Sequence, residues 1–373
     1  MGKKPASLMR SETTLGVSLA TATVFMFFGA DWLADLTNPF WFGLMFLWLF
    51  VVILLSAFAV VRHADALAIQ LGEPYGTLIL TLAVIGIEVM MISAIMLTGE
   101  SNPTLARDTM YAVIMIVLNG LVGVALLLGG LRHIEQEYNL QGAKAFLAVI
   151  LPLAVIGLVL PSVTHSTPDA TFSPLQAAFM VVMALSLYAV FLSVQTVRHR
   201  SYFMGPQTTE SPGVGEEEHP ELVLRPIAVH GLLLGAYLLC VVLLSKKLAI
   251  PVDHAIVQFG APTALGGFLV AALVLSPEAL SAVRAALNDR LQRAVNILLG
   301  SVAATIGLTV PAVLTISLLM DKKVVLGLDN VEIVMLILSL AVAMLTFASR
   351  RTNVLQGAVH IVLFLAYVVL IFD

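Results

Sequence analysis

Two glutamates stand in stretches that otherwise hold almost nothing but apolar residues: Glu88 within AVIGIEVMMISAI and Glu278 within ALVLSPEALSAV. An ionised side chain at bilayer depth costs at least ~2.5–3.5 kcal/mol, so such a residue ordinarily marks a pathway or a site. The surroundings suit ion contact. Gly86 stands two residues before Glu88, and Ser276 and Pro277 run directly into Glu278; proline withholds one helical donor and frees a carbonyl. Carboxylates with freed carbonyls make a hard oxygen site, suited to alkali ions or calcium rather than to soft metals. Burial and mutual repulsion let protons compete for the same oxygens near neutral pH. The chemistry expected is therefore exchange of a small cation for protons, with Glu88 and Glu278 as shared metal and proton ligands.

The elements that position these residues follow from composition. Of 373 residues 60% are apolar and 11% charged, against about 45–50% and about a quarter in soluble domains. Runs of roughly 20 apolar residues span a bilayer core, and eleven can be drawn, near 13–34, 40–61, 76–97, 109–131, 145–163, 173–197, 227–245, 259–280, 292–319, 331–348 and 354–372. With the N-terminus cytoplasmic, fourteen of the 19 basic residues fall inside; Arg107, Lys246, Lys247, Lys322 and Lys323 fall outside. That bias predicts an N-inside, C-outside protein of the cell (inner) membrane. The longest connection, His199 to Arg225, holds Pro206, Pro212, Pro220, Glu216, Glu217, Glu218 and His219, and reads as an acidic cytoplasmic linker.

Gly76 precedes Glu88 by the same twelve residues that separate Gly266 from Glu278. The aligned stretches, GTLILTLAVIGIE and GGFLVAALVLSPE, share only Gly, Val and Glu. Topology adds to this, because the third and eighth spans run in opposite directions, as an inverted duplication requires. The fold class expected is all-α and polytopic: residues 1–36 an extra N-terminal helix, 37–198 a first five-helix repeat, 199–225 the linker and 226–373 the second repeat. Such a duplication would bring the two carboxylates together near the midplane.

Second-rank candidates for lining a cavity are Gly86, Ser276, Asn119, Gly300 and Ser301, with Asn296 and Thr305 nearby; small and polar residues also hold membrane helices together. His63 and Asp65, after Arg62, are candidates for a proton entrance, against the plainer role of a solvated loop face. His360 reads as a hydrogen-bonded core histidine, and Arg284 as an interfacial anchor.

These residues resemble the calcium:cation antiporter superfamily and, within it, the cation/proton exchangers, most closely the ChaA-type bacterial branch. The likeness runs from HADALAIQLGEPYGTLILTLAVIGIE through RDTMYAVIMIVLNGLVG, and again through SPEALSAVRAALNDRLQRAVNILLGSVAATIGLTVP and RTNVLQGAVH. It implies one extra helix before two inverted five-helix repeats, with Glu88 and Glu278 as paired ligands. The chain departs from the family pattern at Val84-Ile85 and Val274-Leu275, where many exchangers carry Gly-Asn. It departs also at Ala304, where a glutamine is expected, and at Gln356, where many relatives have glutamate. Fewer side-chain oxygens weaken a calcium-only site, so the cargo expected is Na+ and K+ against H+, with Ca2+ a further candidate. The partners are those ions and the lipid bilayer, not nucleic acid, and no cofactor is expected.

The competing readings are a proton-coupled carrier of a small organic solute and an intramembrane enzyme. Few aromatics surround the glutamates, against the first. No HExxH, paired-aspartate prenyl-diphosphate or GxSxG motif is present, against the second, so the chain is not expected to be an enzyme.

Overall fold

Eleven apolar helices account for most of the residues described. The structure is a computed structural model, and it describes residues 12–72, 75–98, 103–165, 167, 169–205, 224–320 and 323–372. Lys3, Lys4, Arg10, Lys322 and most of the predicted acidic linker, including Glu216 to His219, lie outside the described residues. The helices are α1 (Thr13–Phe27), α2 (Pro39–Leu71), α3 (Tyr75–Thr98), α4 (Leu105–His133), α5 (Leu140–Val163), α6 (Pro174–Arg198), α7 (Ile227–Phe259), α8 (Ala264–Leu287), α9 (Leu291–Met320), α10 (Asn330–Thr346) and α11 (Val354–Ile371). Among the described residues nine of them are long and apolar enough to cross a membrane; α1 and α10 are shorter.

The lengths repeat in order. Helices α2 and α7 have 33 residues each, α3 and α8 have 24 each, and α4 and α9 have 29 and 30. Both 33-residue helices stop at a glycine with positive φ, Gly72 and Gly260, a conformation open to glycine at no steric cost. Helices α4 and α9 each contain one widened π-helical turn, Ile116–Leu121 and Thr305–Thr309. Such turns recur at functional sites.

Helix starts follow from their capping residues. Asn38 accepts from the amides of Phe40 and Trp41, with Pro39 at the first position of α2. Ser173 and Gln176 cap α6 reciprocally, and Asn353 and Gln356 do the same for α11. Each such cap satisfies donors that the first turn leaves open. Gln356, where the family resemblance leads one to expect glutamate, is thus occupied in capping.

The chain divides into two compact units, Met1–Ser101 with Pro212–Ala261, and Asn102–Ser211 with Pro262–Asp373. In the first, α3 and α7 pack on α2, α3 packs on α7, and α1 lies on both α2 and α7. Helices α2 and α7 are antiparallel. The His254 ring meets Phe42 at 5.5 Å, and His230 meets His63 at the far end. Those two levels are roughly 30 Å apart at 1.5 Å per residue, the thickness of a hydrocarbon core. At the Phe42 end, Trp32, Trp41 and Trp48 cluster with Phe25, as interfacial aromatics do. In the connection leading there, Thr37 donates its hydroxyl and amide to Asp35 at 2.6 and 3.0 Å. These bonds hold the exposed carboxyl below its usual range.

In the second unit α8 packs along α4, and the two are parallel. Gly267 lies against the Asp108 backbone. At the other end the Gln136 amide donates to the Ala286 carbonyl at 2.9 Å, and a His133 ring nitrogen lies 2.9 Å from the Leu287 carbonyl. Here β1 (Gln136–Glu137) pairs antiparallel with β2 (Arg351–Thr352). The opposite end is closed by the extended residues 323–329, whose backbone bonds to Pro103, Leu158 and Ala170. A Cβ on Gly267 would stand 2.5 Å from the Asp108 backbone carbon and 2.6 Å from the Thr109 nitrogen. Backbone cannot yield as a flexible side chain can, so Gly267→Ala should destabilise the protein by about 1–3 kcal/mol. Thermal unfolding in detergent checks this. A variant as stable as the parent would contradict the close approach of α8 to α4.

Candidate cation site

Glu278 lies about midway along the roughly 30 Å that α8 rises between Gly267 and Leu287. The residue is half-buried, yet its Oε2 atom is inaccessible and has no hydrogen-bond partner among the described residues. The Ser301 side chain, from α9, hydrogen-bonds the same carboxylate. Pro277 supplies no amide for the Leu273 carbonyl one turn back. Ser276 turns its hydroxyl onto the Ala272 carbonyl at 2.5 Å, within its own helix. Gly300 leaves room rather than close contact, since a Cβ there would meet the Phe146 ring at 3.6 Å.

Asn119 sits in the widened turn of α4, which packs against both α8 and α9. Its Nδ2 donates to Ser339 Oγ at 2.8 Å, which fixes the amide orientation. The carbonyl oxygen Oδ1 is then buried without a hydrogen-bond partner among the described residues, as is Thr309 Oγ1 in the widened turn of α9. Buried polar atoms are nearly always satisfied, so each exception asks for an unseen partner such as a water or ion. The second unit thus holds Glu278 Oε2, Asn119 Oδ1 and Thr309 Oγ1, oxygens of the kind a hard cation takes. Ser339 and Thr309 were not singled out by sequence. Nothing in their spacing separates them from hydroxyls used for helix packing.

Glu88 belongs to the first unit. It is 1% exposed on α3, between Ile87 and residues Met91 and Ile92, all buried. Gly76, against the Ala68 carbonyl, ties α3 to α2 and sets the register. Glu88 accordingly lies about 10 Å further into the unit than His63 at 1.5 Å per residue. A Cβ on Gly86 would meet only the end of Met90, at 3.5 Å.

Other candidates have structural partners. Asn296 donates to the Phe203 carbonyl at 2.7 Å and accepts from Gln292 at 2.8 Å. His360 is buried with Nε2 2.9 Å from Thr346 Oγ1, the core histidine expected. Arg284 lies in the last turn of α8, where a cation complements the helix dipole. The solvated loop expected around His63 is absent. Helix α2 runs on to Leu71, well beyond the span drawn to residue 61, because no breaker precedes Gly72. His63 and Asp65 are therefore helical, and His63 is buried against His230. Among the described residues no three His, Cys, Asp or Glu side chains are grouped to hold a metal. A cation site among the described residues would then draw on hydroxyl, amide and backbone oxygens beside its carboxylates.

The family described as sodium/calcium exchanger protein matches residues 41–197 and 229–372. The chain belongs to that family. Over 320 residues, 86% of each chain, it is 44% identical to the sodium-potassium/proton antiporter ChaA of Escherichia coli (strain K12). It is 23% identical over 311 residues to the Ca(2+)/H(+) antiporter ChaA of Bacillus subtilis (strain 168), covering 83% of this chain and 85% of that protein. Among solved structures, native YfkE superposes with a TM-score of 0.71 at 17% identity, covering 96% of this chain and 99% of that one. The H+/Ca2+ exchanger CAX gives 0.64 at 14% identity, covering 97% and 89%. At those identities the structures speak for the fold alone. The chain is a multi-pass membrane protein with the exchanger fold.

Ser301→Ala removes one oxygen and one hydrogen bond from Glu278. Losing a bond to a charged group is worth about 1.5–3 kcal/mol, so the apparent cation affinity of Ser301→Ala should fall at least about tenfold. Asn296→Ala, whose partners are structural, should leave it unchanged. Equal effects in cation-titrated transport would remove Ser301 from the site.

Proposed function

We propose that this chain exchanges Na+ and K+, and also Ca2+, for protons across the cell inner membrane. Glu88 and Glu278 serve as its cation and proton ligands. The observation that carries the reading is an inaccessible Glu278 oxygen without a hydrogen-bond partner among the described residues, in a chain 44% identical to a sodium-potassium/proton antiporter. A buried carboxylate must be neutralised by a proton or by a cation. Two ligands that compete for one charge, in a protein whose helices reorient it, make an exchanger. Asn119 and Ser301 line the cavity, with Gly86, Ser276 and Gly300 giving the backbone room. His63 and Asp65 lie on the proton path. Residues 37–198 and 226–373 act as the two inverted repeats.

The orientation proposed is N-inside. Support comes from the second unit, where Arg132, Arg198, Arg200, Arg284, Arg290, Arg293, Arg350 and Arg351 all lie near the end that carries β1 and β2. Arg107 and Lys323 lie near the other. Excess basic charge marks the cytoplasmic side.

Purified protein in liposomes loaded with a pH-sensitive dye tests the function. Imposed gradients of Na+, K+ or Ca2+ should each drive protons the opposite way. No proton movement with any of the three would overturn the reading.

A further inference from the structure

At the end of the first unit where α2 finishes and α7 begins, two buried histidines meet. His63 Nδ1 lies 2.9 Å from His230 Nδ1, and the ring centroids are 5.2 Å apart. Their exposures are 2% and 3%, so bulk water does not set their protonation. One backbone group does. The Arg225 amide donates to His230 Nε2 at 3.0 Å, and a nitrogen that accepts carries no proton. Neutral His230 must then hold its proton on Nδ1 and donate it to His63 Nδ1. Neutral His63 in turn holds its proton on Nε2, which faces Glu12 Oε2 at 3.4 Å. That oxygen also accepts from Arg62 Nη2 at 2.6 Å and from the Tyr237 hydroxyl at 3.1 Å. The Tyr237 ring lies over His63 at 5.7 Å.

The Nδ1–Nδ1 contact and the bond from the Arg225 amide are satisfied together by two neutral rings. An added proton has two places to go. On His230 Nε2 it displaces the Arg225 amide directly. On His63 Nδ1 it forces His230 Nδ1 to become an acceptor, which sends the His230 proton to Nε2 with the same result. Either way the bond to Arg225 is lost. Arg225 is the last residue of the predicted linker, and Pro226 directly precedes α7.

Among the described residues the other charged and titratable groups facing the pair are few. Glu12, at the start of α1, carries the negative charge, and α1 itself holds no titratable residue. Helix α2 contributes Arg62, with Asp65 two residues further on; α7 contributes Tyr237. Helix α3 carries only Tyr75, at its first residue, and Glu88, about 10 Å further along at 1.5 Å per residue.

We propose that the neutral His63–His230 pair is a proton-sensitive latch. It holds the junction between the linker and α7 against α2, and acidification at that end of the protein releases it. Imidazoles are the side chains suited to such switching between pH 5 and 8.

The test needs no transport measurement. Cys240 is the only cysteine, so in a Cys240→Ala background two spin labels can be placed at Leu224 and Ile69, which are 55% and 38% exposed. Their separation is read in lipid nanodiscs from about pH 8 to about pH 5. The latch predicts one narrow distance at high pH and a several-fold larger population of longer distances at low pH. His230→Gln keeps an oxygen that accepts the Arg225 amide but cannot titrate, and should hold the narrow distance throughout. If His230→Gln does not accumulate, His230→Asn, which also offers an oxygen that cannot titrate, carries the same comparison. A parent distance that ignores pH overturns the latch, as does a variant that follows pH as the parent does. Both results are independent of whether liposomes exchange cations, so the latch and the proposed function can fail separately.

Discussion

Glu278→Gln should reduce cation-driven proton movement to the level of protein-free liposomes, while the protein remains folded. Glutamine keeps the size of the side chain and can still accept from Ser301. What it cannot do is bind a proton or carry the charge that a cation neutralises. The replacement removes a charge whose inaccessible Oε2 has no hydrogen-bond partner among the described residues, and shutting a charge off from water is costly unless it is paired. Thermal stability of Glu278→Gln should therefore equal or exceed that of the parent. Transport lost at undiminished stability is the combined result expected. Persistent exchange would show that Glu278 has no part in it.

Glu88→Gln should have an equally large effect for a related reason. Glu88 is 1% exposed and lies on a helix whose other residues from Tyr75 to Thr98 carry no formal charge near neutral pH. No second carboxylate on α3 can substitute. If the two glutamates act as one unit, the double replacement should be no worse than either single one, as is usual where groups share a step. Glu88→Asp keeps the charge on a shorter stem, and should retain measurable exchange with weakened cation affinity. Full activity of Glu88→Gln would remove the first of the paired ligands and return Glu88 to the role of a buried structural acid.

Much of this was legible in the amino-acid sequence, for a definite physical reason. Bilayer thickness sets a length that an apolar run must meet, so the helices could be counted. Charge clusters such as Arg62 and Arg290 marked where chain leaves hydrocarbon. The boundaries were less legible. Helix α2 continues ten residues past the span drawn for it because helical hydrogen bonding does not stop at the membrane surface; only Gly72, with φ of 65°, ends it. The site was legible as far as acidity in an apolar run could carry it. Glu88 and Glu278 stand out against Leu and Val, whereas Thr309 and Ser339 look like any hydroxyls that pack membrane helices. The same limit applies to His230. A histidine at the first turn of a span looks interfacial until His63, 167 positions away, is found beside it. A pairing so distant along the chain leaves no periodic trace.

If cation and proton are alternative occupants of Glu88 and Glu278, binding one must release the other, and the most direct measurement is of protons released on cation binding. Purified protein in a weakly buffered detergent solution near neutral pH should release protons when Na+, K+ or Ca2+ is added. Glu88→Gln and Glu278→Gln should each release fewer, and the double variant none. Cation binding without proton release, or release untouched by both replacements, would contradict competition at these carboxylates.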